Sequence, residues 1–292
     1  MPDQTELGRF LKARRAGVRP ADAGLPEATG TRRTPGLRRE ELATLAGVSV
    51  DYYTRLERGK EARPSPAVVD SLARALLLNE EERDFLRALA AEASRIRNGT
   101  KQVRQPSRIV RPSARQLLEH LRPCPAYLLS RTSNLLAANP GGERILPGLV
   151  DWPAAQRNTI RYTFLHPAAR DLWVDWAQKA RACAAQLRAV AGSHPDDPDL
   201  ASLVGELIVK SPDFNRLWAR YEVGKAGYGE KTIRHPAVGV MALNHEVLEL
   251  VATDGQRIVV YMASPGTPDH DAMTLLDIDQ PLTEPMNRAR IS

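Results

Sequence analysis

The chain contains 292 residues, of which 42% are hydrophobic and 26% are charged, a balance typical of globular proteins rather than disordered or fibrous ones. This length exceeds what a single hydrophobic core usually supports, so we expect two domains. No apolar run approaches the roughly 18–20 residues of a membrane span, and the N-terminus lacks the basic and apolar segments of a signal peptide, which predicts a cytoplasmic protein without a membrane partner.

The excess positive charge lies entirely in the N-terminal part of the chain. Residues 1–112 contain 22 Lys and Arg against 15 Asp and Glu, whereas residues 113–292 contain 19 against 20. A basic part joined to a nearly neutral part indicates a polyanionic partner for the first and a different role for the second. A solvated basic surface without a partner is the alternative.

The first third of the chain predicts a helix-turn-helix. The segment "RREELATLAGVS" has apolar residues at helical spacing, so a helix should end near Ala46. Gly47 suits the left-handed residue that closes a helix, and Ser49 suits the N-cap of a second helix, "VDYYTRLER". Tyr53 and Leu56 of that helix are then expected to face inward.

The segment "ELATLAGVSVDYYTRLERGK" resembles the DNA-binding core of XRE-type repressors. Further helices are predicted at "TELGRFLKARRAG", "SPAVVDSLARALLL" and "NEEERDFLRALAAEA". The resemblance implies an all-α, five-helix DNA-binding domain over residues 1–93, with double-stranded DNA as the partner. A helical hairpin that serves only as core is the structural alternative.

The resemblance also implies which residues touch DNA, because the N-terminal part of the second helix enters the major groove in such domains. Base contacts are expected from Val50, Asp51, Tyr52 and Arg55. Arg55 is the leading candidate for reading guanine. Phosphate contacts are expected from Arg38, Arg39, Ser49, Arg58 and Lys60. A plain structural interpretation is that Glu57 pairs internally and that Arg58 is only solvated.

Two segments depart from a simple repressor. Residues 17–36 form an insertion rich in Pro, Gly and Arg, where Arg32, Arg33 and Thr34 reach a phosphate or the minor groove in one interpretation and are solvated in the other. Residues 94–112 contain six basic residues and no acidic residue, which predicts a linker. This linker either contacts the DNA backbone or is a solvated tether, and the sequence fits both alternatives.

Residues 113–292 predict an α+β domain. "ARQLLEHLR" reads as a helix, and "PAYLLSRTSNLLAANP" predicts a hairpin turning at "RTSN". Long helices are predicted at 168–192, 197–211 and 212–222, strands at 230–251 and 256–266, and a short helix near 269–278. Strands interrupted by inserted helices indicate an antiparallel sheet with helices packed on one side.

This order resembles the ligand-binding domain of MmyB-like transcription regulators, which is described as PAS-like. The matching segments are "AANP" at the end of the hairpin, "QRNTIRYTFLHPAAR", "SPDFNRLWARYEV", "HPAVGVMALNHEVL" and "RIVVYMASPGTP". The resemblance implies a sensory pocket for a small, largely apolar ligand such as a fatty acid.

Such a pocket needs an apolar lining and one or two polar groups for the ligand's head. Candidates for the lining are Tyr127, Leu129, Leu136, Phe164, Leu165, Trp173, Trp176, Val259 and Tyr261. Candidates for the head group are Asn139, Asn158, Arg161 and His166. Arg161 is favoured because a guanidinium binds a carboxylate in bidentate geometry. The structural alternative is that most of these aromatic residues form the core and that Asn139 closes a turn.

Motifs for catalysis are lacking, so an enzyme is not expected. "HEVLE" at 245–249 lacks the second histidine of a zinc hydrolase and is expected at a strand end. There is no G-x-S-x-G and no phosphate-binding G-x-x-x-x-G-K-[ST]. Cys124 and Cys183 stand without a C-x-x-C partner, so neither a metal site nor a cofactor is predicted.

Three hypotheses for the function follow. The first is a ligand-responsive transcription regulator that acts as a homodimer on paired half-sites. The second is a DNA-binding module whose C-terminal domain recruits a protein and binds no metabolite. The third is an enzyme tethered to DNA.

Overall fold

The structure is a computed structural model that describes residues 5–26, 36–60, 63–96, 108–224 and 227–278. It separates into two compact units. The first unit takes its residues from Met1–Arg104, Ala184–Ala201 and Asn215–Lys225, and the second from Gln105–Cys183, Ser202–Phe214 and Ala226–Ser292. None of the described helices is both long and apolar enough to cross a membrane.

The N-terminal part of the first unit consists of the five predicted helices. They are α1 (Glu6–Gly17), α2 (Arg39–Ala46), α3 (Val50–Glu57), α4 (Pro66–Ala75) and α5 (Glu80–Ile96). Side-chain caps start α1 and α4, because Thr5 Oγ1 accepts a hydrogen bond from Gly8 N at 3.2 Å and Ser65 Oγ accepts one from Val68 N at 3.4 Å. The five-helix prediction is confirmed.

The turn between α2 and α3 has the predicted chemistry. Gly47 has a φ of +66°, in the left-handed region where a side chain is disfavoured, and it ends α2. Val48 N then donates to Ala43 O at 3.0 Å and its side chain packs against the hydrophobic core. Ser49 Oγ accepts from Tyr52 N at 3.1 Å and so begins α3. These contacts fix the angle at which α3 leaves α2.

Helix α3 turns one side into the hydrophobic core of the first unit. Tyr53 and Leu56 are fully buried there, as predicted. The approach of α1 is so close that a Cβ atom at Gly8 would lie 2.3 Å from Glu57 O, so only glycine fits at this crossing. The opposite side of α3 is therefore held at the surface by rigid contacts beneath it.

The first unit also contains segments from much later in the chain. Arg188 is only 2% exposed, and its guanidinium lies 3.4 Å from the ring centroid of Trp218 and 3.9 Å from that of Tyr221. One of its nitrogens lies 3.5 Å from a carboxylate oxygen of Glu6 in α1. Val223 packs in the same hydrophobic cluster as the helices of the N-terminal part. We did not predict this participation from the sequence.

The remaining elements are a hairpin, a block of helices and three further strands, flanked by one helix at each end. The helices are α6 (Pro112–His120), α7 (Pro140–Arg144), α8 (Thr159–Leu165), α9 (Ala169–Leu172), α10 (Trp176–Ser193), α11 (Pro198–Lys210), α12 (Pro212–Trp218) and α13 (Pro268–Asp277). The strands are β1 (Ala126–Leu129), β2 (Leu135–Ala138), β3 (Gly229–His235), β4 (Gly239–Glu249) and β5 (Arg257–Met262).

The five strands form one antiparallel sheet in the order β2-β1-β5-β4-β3. The predicted hairpin at residues 125–140 is present as β1 and β2, with Tyr127 opposite Ala138. In β1 and β5, alternate residues point to opposite sides of the sheet. The inner face presents Tyr127 and Val259 to the larger hydrophobic cluster, and the outer face presents Leu128 and Ile258 to a smaller one.

Helices lie on both faces of the sheet, which corrects the prediction that they pack on one side. Leu118 of α6 is buried against the outer face together with Leu128 and Ile258. The α+β class itself, an antiparallel sheet with inserted helices, is confirmed.

The helix predicted at 168–192 is interrupted at residues 173–175. Trp173 forms an isolated bridge with Ile233, and Val174 N donates to Thr232 O at 3.3 Å, so this short segment pairs with β3 at the edge of the sheet. Asp175 Oδ1 then accepts from Gln178 N at 2.8 Å and begins α10. Sheet pairing, a long-range contact, thus overrides the local helical pattern.

Another predicted element differs in extent. The helix predicted at 212–222 ends at Trp218, and Tyr221 has a φ of +56°, which no continuing α-helix permits. The segment at 245–249 forms the last five residues of β4, as predicted, and His245 stands opposite Tyr261 of β5. Its side chain therefore shares the inner face of the sheet.

Candidate functional site

The residues predicted to contact bases lie on the outward side of α3. Val50 is 40% exposed, Asp51 and Arg55 are exposed, and Tyr52 is half-buried against the core. Val50, Asp51 and Tyr52 lie in the first turn of α3, and Arg55 lies in its last turn. An exposed helical face with a rigid support has the form that major-groove reading requires.

The residues predicted to contact phosphates lie at or just beyond the ends of α2 and α3. Arg38 and Ser49 are exposed at the starts of α2 and α3, and Arg58 and Lys60 are exposed after α3. Arg39 is engaged within the protein, because its guanidinium donates to Glu57 Oε1 at 2.7 and 3.1 Å. Arg39 therefore positions α3 in this structure.

Glu57 is the centre of a buried ionic network. Arg15 Nε donates to Glu57 Oε2 at 2.9 Å, and Arg15 Nη1 donates to Leu37 O at 2.7 Å. Burial alone would raise the pKa of Glu57, but the hydrogen bonds from Arg15 and Arg39 outweigh burial and lower it. The prediction that Glu57 pairs internally is confirmed. The network ties α3 to α1 and to the start of α2.

Four of the predicted pocket residues meet on the inner face of the sheet. Tyr127, Leu129, Val259 and Tyr261 are all buried in one hydrophobic cluster. The hydroxyl oxygens of Tyr127 and Tyr261 are 3.1 Å apart and share a hydrogen bond. Burial raises the pKa of both tyrosines, so both hydroxyls stay protonated at neutral pH. Leu136 does not join this set, because it packs with the outer-face cluster.

Other predicted aromatic residues continue from this cluster. Trp173 is buried in it, and Trp176 packs beside it and donates from Nε1 to Thr163 O at 2.9 Å. The ring of Phe164 lies edge-on to Trp176 at 6.1 Å and to Phe214 at 5.1 Å.

Leu165 and His166 follow at the end of α8 and are half-buried. The His166 ring stacks on Tyr162 at 4.6 Å, and its Nδ1 accepts from Ala168 N at 3.2 Å. Burial lowers the pKa of His166. In these contacts His166 acts as part of the packing.

The two asparagines predicted for the head group have structural roles. Asn139 Oδ1 accepts from Ala126 N and Gly142 N, and its Nδ2 donates to Leu118 O and Cys124 O, at 2.8 to 3.1 Å. Asn158 is bonded in the same complete way, with Oδ1 capping α8 and Nδ2 donating to Thr132 O and Asn134 Oδ1. An amide can make about four hydrogen bonds, so neither side chain has capacity left for a ligand.

Arg161 is likewise committed within the protein. Its Nε donates to Glu206 Oε2 at 2.8 Å, and its Nη1 donates to Gln156 O at 2.9 Å. We therefore expect Arg161→Gln to lower the free energy of unfolding by about 1 kcal/mol, since a partly buried ion pair is lost. Urea unfolding and native mass spectrometry of the full-length variant would measure stability and ligand content. Loss of bound ligand at unchanged stability would instead make Arg161 a ligand-binding residue.

Three basic residues on the inner face of the sheet were missed by sequence reasoning. They are Lys231 of β3, His245 of β4 and Arg257 of β5, and Lys179 of α10 joins them. Lys231 stands opposite Leu243 and Arg257 opposite Leu129, in each case beside a buried leucine of the inner-face cluster. The alternation of side chains along a strand could have revealed Lys231, because it places Lys231, Ile233 and His235 on the same face of the sheet.

The part of the chain that the structure describes contains no group of three or more His, Cys, Asp or Glu side chains suited to a metal ion. Cys124 and Cys183 are both free thiols.

Comparisons with known proteins agree with both halves of this description. A helix-turn-helix domain model matches residues 6–86, and a model described as the MmyB-like transcription regulator ligand binding domain matches residues 110–276. No curated protein matches the chain. Both matched families are regulatory binding domains rather than enzymes. Because the second match covers more than half of the chain, the protein belongs to the family that carries the MmyB-like transcription regulator ligand binding domain, joined here to a DNA-binding helix-turn-helix.

Proposed function

We propose that this ligand-sensing transcription regulator reads duplex DNA with the outward side of α3 and responds to a small, largely apolar ligand, a fatty acid. The observation that carries the DNA-binding part is the two-sided character of α3. Arg55 and Val50 stand at the surface, while Tyr53, Leu56 and Glu57 are buried beneath them. A basic N-terminal part then supplies the sequence-independent attraction to phosphates.

The ligand-binding part is supported by the inner face of the sheet. Aromatic and aliphatic side chains dominate that face, with a few polar groups among them, which is the usual composition of a site for a small apolar molecule. The predicted lining residues Tyr127, Leu129, Trp173, Val259 and Tyr261 meet there. We expect the ligand to bias the DNA-binding state by its different affinity for two conformations.

We further propose that the protein acts in the cytoplasm as a homodimer. Helix-turn-helix dimers place two recognition helices about one turn of DNA apart, roughly 34 Å, on a two-fold symmetric operator.

The proposal is tested with the full-length protein. Selection from a pool of random duplexes should enrich a two-fold symmetric sequence, and light scattering of the complex should give two chains per duplex. Native mass spectrometry followed by solvent extraction should release an aliphatic acid from the purified protein. An enriched sequence without symmetry would contradict the dimer. A protein that retains no apolar compound and binds none when offered would contradict the ligand and favour a domain that recruits another protein.

A further inference from the structure

The inner face of the sheet carries positive charge in an apolar setting. Arg257 is 7% exposed, and burial lowers its pKa to about 10. Lys179 Nζ lies 4.6 Å from the ring centroid of Trp173, a buried member of the same cluster. Burial lowers the pKa of Lys231, and the nearby Lys179 charge lowers it further, so the two ammonium groups act on each other.

In the part of the chain that the structure describes, no acidic side chain pairs with these groups. Lys179, Lys231 and Arg257 form no ion pair with a carboxylate of the described residues. Arg257 donates only to the carbonyl oxygens of Ser130 and Arg131 and to Ser133 Oγ, and its Nε has no partner.

The carboxylates that act on this cluster do so from a distance. Asp175 acts on Lys231, Glu246 on His245 and Glu249 on Arg257, and all three acids are exposed. Arg257 is therefore a buried charge without a close counter-ion among the described residues, an arrangement that costs several kcal/mol and that a bound anion would relieve.

Neutral donors lie in the same cluster. Trp173 Nε1 is buried and has no hydrogen-bond partner. The hydroxyls of Tyr127 and Tyr261 share one hydrogen bond, which uses one of their two protons and leaves the other to be donated. Positive groups and unused donors together suit an acceptor-only anion, and a carboxylate is such an anion.

We propose that Lys179, Lys231 and Arg257 form the anion-binding end of the ligand site and hold the carboxylate of an apolar acid, while its hydrocarbon chain packs on the inner-face cluster. The lysines contact the head group directly, and Arg257 supplies a fixed positive charge beside Tyr127. This inference rests on the proposed function, since it specifies the ligand class at the same site.

The test uses two probes of equal chain length, decanoate and 1-decanol, titrated calorimetrically into the delipidated full-length protein. We expect decanoate to bind at least about tenfold more tightly than decanol, because only decanoate engages the positive groups. The double variant Lys179→Gln with Lys231→Gln should lose this preference and keep the affinity for decanol. Lys210→Gln is the matched control, since Lys210 lies in the same unit and is bonded to Glu206 instead.

Each outcome bears on a different statement. If the unmodified protein binds both probes equally, the proposed anion-binding site is wrong, but the proposal of an apolar ligand still holds. Retention of the preference in the double variant also overturns it. Binding of neither probe overturns the anion-binding site and the apolar ligand together. The comparison of the two probes on the unmodified protein needs no variant, so the inference stays testable if the double variant does not fold.

Discussion

Replacing Glu57 by alanine is expected to lower the free energy of unfolding of the first unit by about 3–5 kcal/mol, because it leaves buried arginine charge without a partner. Glu57 is fully buried, and its two oxygens accept hydrogen bonds from both Arg15 and Arg39. Since typical domains are stable by only about 5–15 kcal/mol, this loss removes a large share of the stability and should weaken DNA binding at 37 °C.

Urea unfolding of the full-length protein, followed by far-ultraviolet circular dichroism, would measure the change. The matched control is Asp22→Asn, because Asp22 pairs with Arg19 at the surface of the same unit. That exposed pair is expected to contribute almost nothing. If Glu57→Ala were no more destabilising than the control, the buried network would not be what holds α3.

Acid should act on the same network. The pKa of Glu57 in the folded protein is lowered from its ordinary value of 4.5. A carboxylate with a lowered folded pKa contributes stability that is complete above the unfolded value and is lost as the pH falls through the folded value. We therefore expect the unmodified protein to lose stability below about pH 4.5 and Glu57→Gln to lose less there.

Replacing Arg55 by alanine is expected to relax base preference and to cost roughly 1–3 kcal/mol on the preferred operator, whereas Lys60→Ala should weaken all sequences alike. Arg55 is exposed on the outward side of α3, at a position suited to base edges. Lys60 is exposed beyond the helix end, where its ammonium suits a phosphate.

Fluorescence anisotropy at several salt concentrations would separate the two roles. Labelled duplexes should include the enriched operator and single-base variants of it. Arg55→Ala should flatten the differences between duplexes, and Lys60→Ala should preserve them while lowering the salt slope by about one. Identical behaviour of the two variants across the set would show that the assigned roles are wrong.

The α2-turn-α3 region could be predicted closely because its signals are local. Gly47 closes one helix, Ser49 caps the next, and the burial of Tyr53 and Leu56 follows from helical spacing alone. Each of these features depends on residues only a few positions apart. The insertion residues Arg32, Arg33 and Thr34, and much of the 94–112 linker, lie outside the described residues, so their roles and the domain boundaries stay predictions.

The ligand site was harder to predict because its parts are distant in sequence. Arg161 has the right chemistry for a carboxylate, but only the fold reveals that Glu206, 45 residues away, is its partner. From the sequence, Asn139 and Asn158 look like ligand-binding residues. In the structure, their side-chain amides are instead hydrogen-bonded to backbone groups. Lys179 reaches the inner face only because α9 and α10 are separated by pairing with β3.

The inclusion of residues 184–201 and 215–224 in the first unit has a practical consequence for dissecting the protein. A truncation that keeps only the residues before 113 would remove Val223 from the hydrophobic cluster and Arg188 from beside Glu6. It would also strip Phe85 of its neighbour Gly192, where an added Cβ would come within 2.2 Å of the ring. Fragments cut at that point would expose apolar surface that is buried in the intact protein, and they would tend to self-associate. DNA affinities measured with such fragments would therefore be lower than that of the intact regulator.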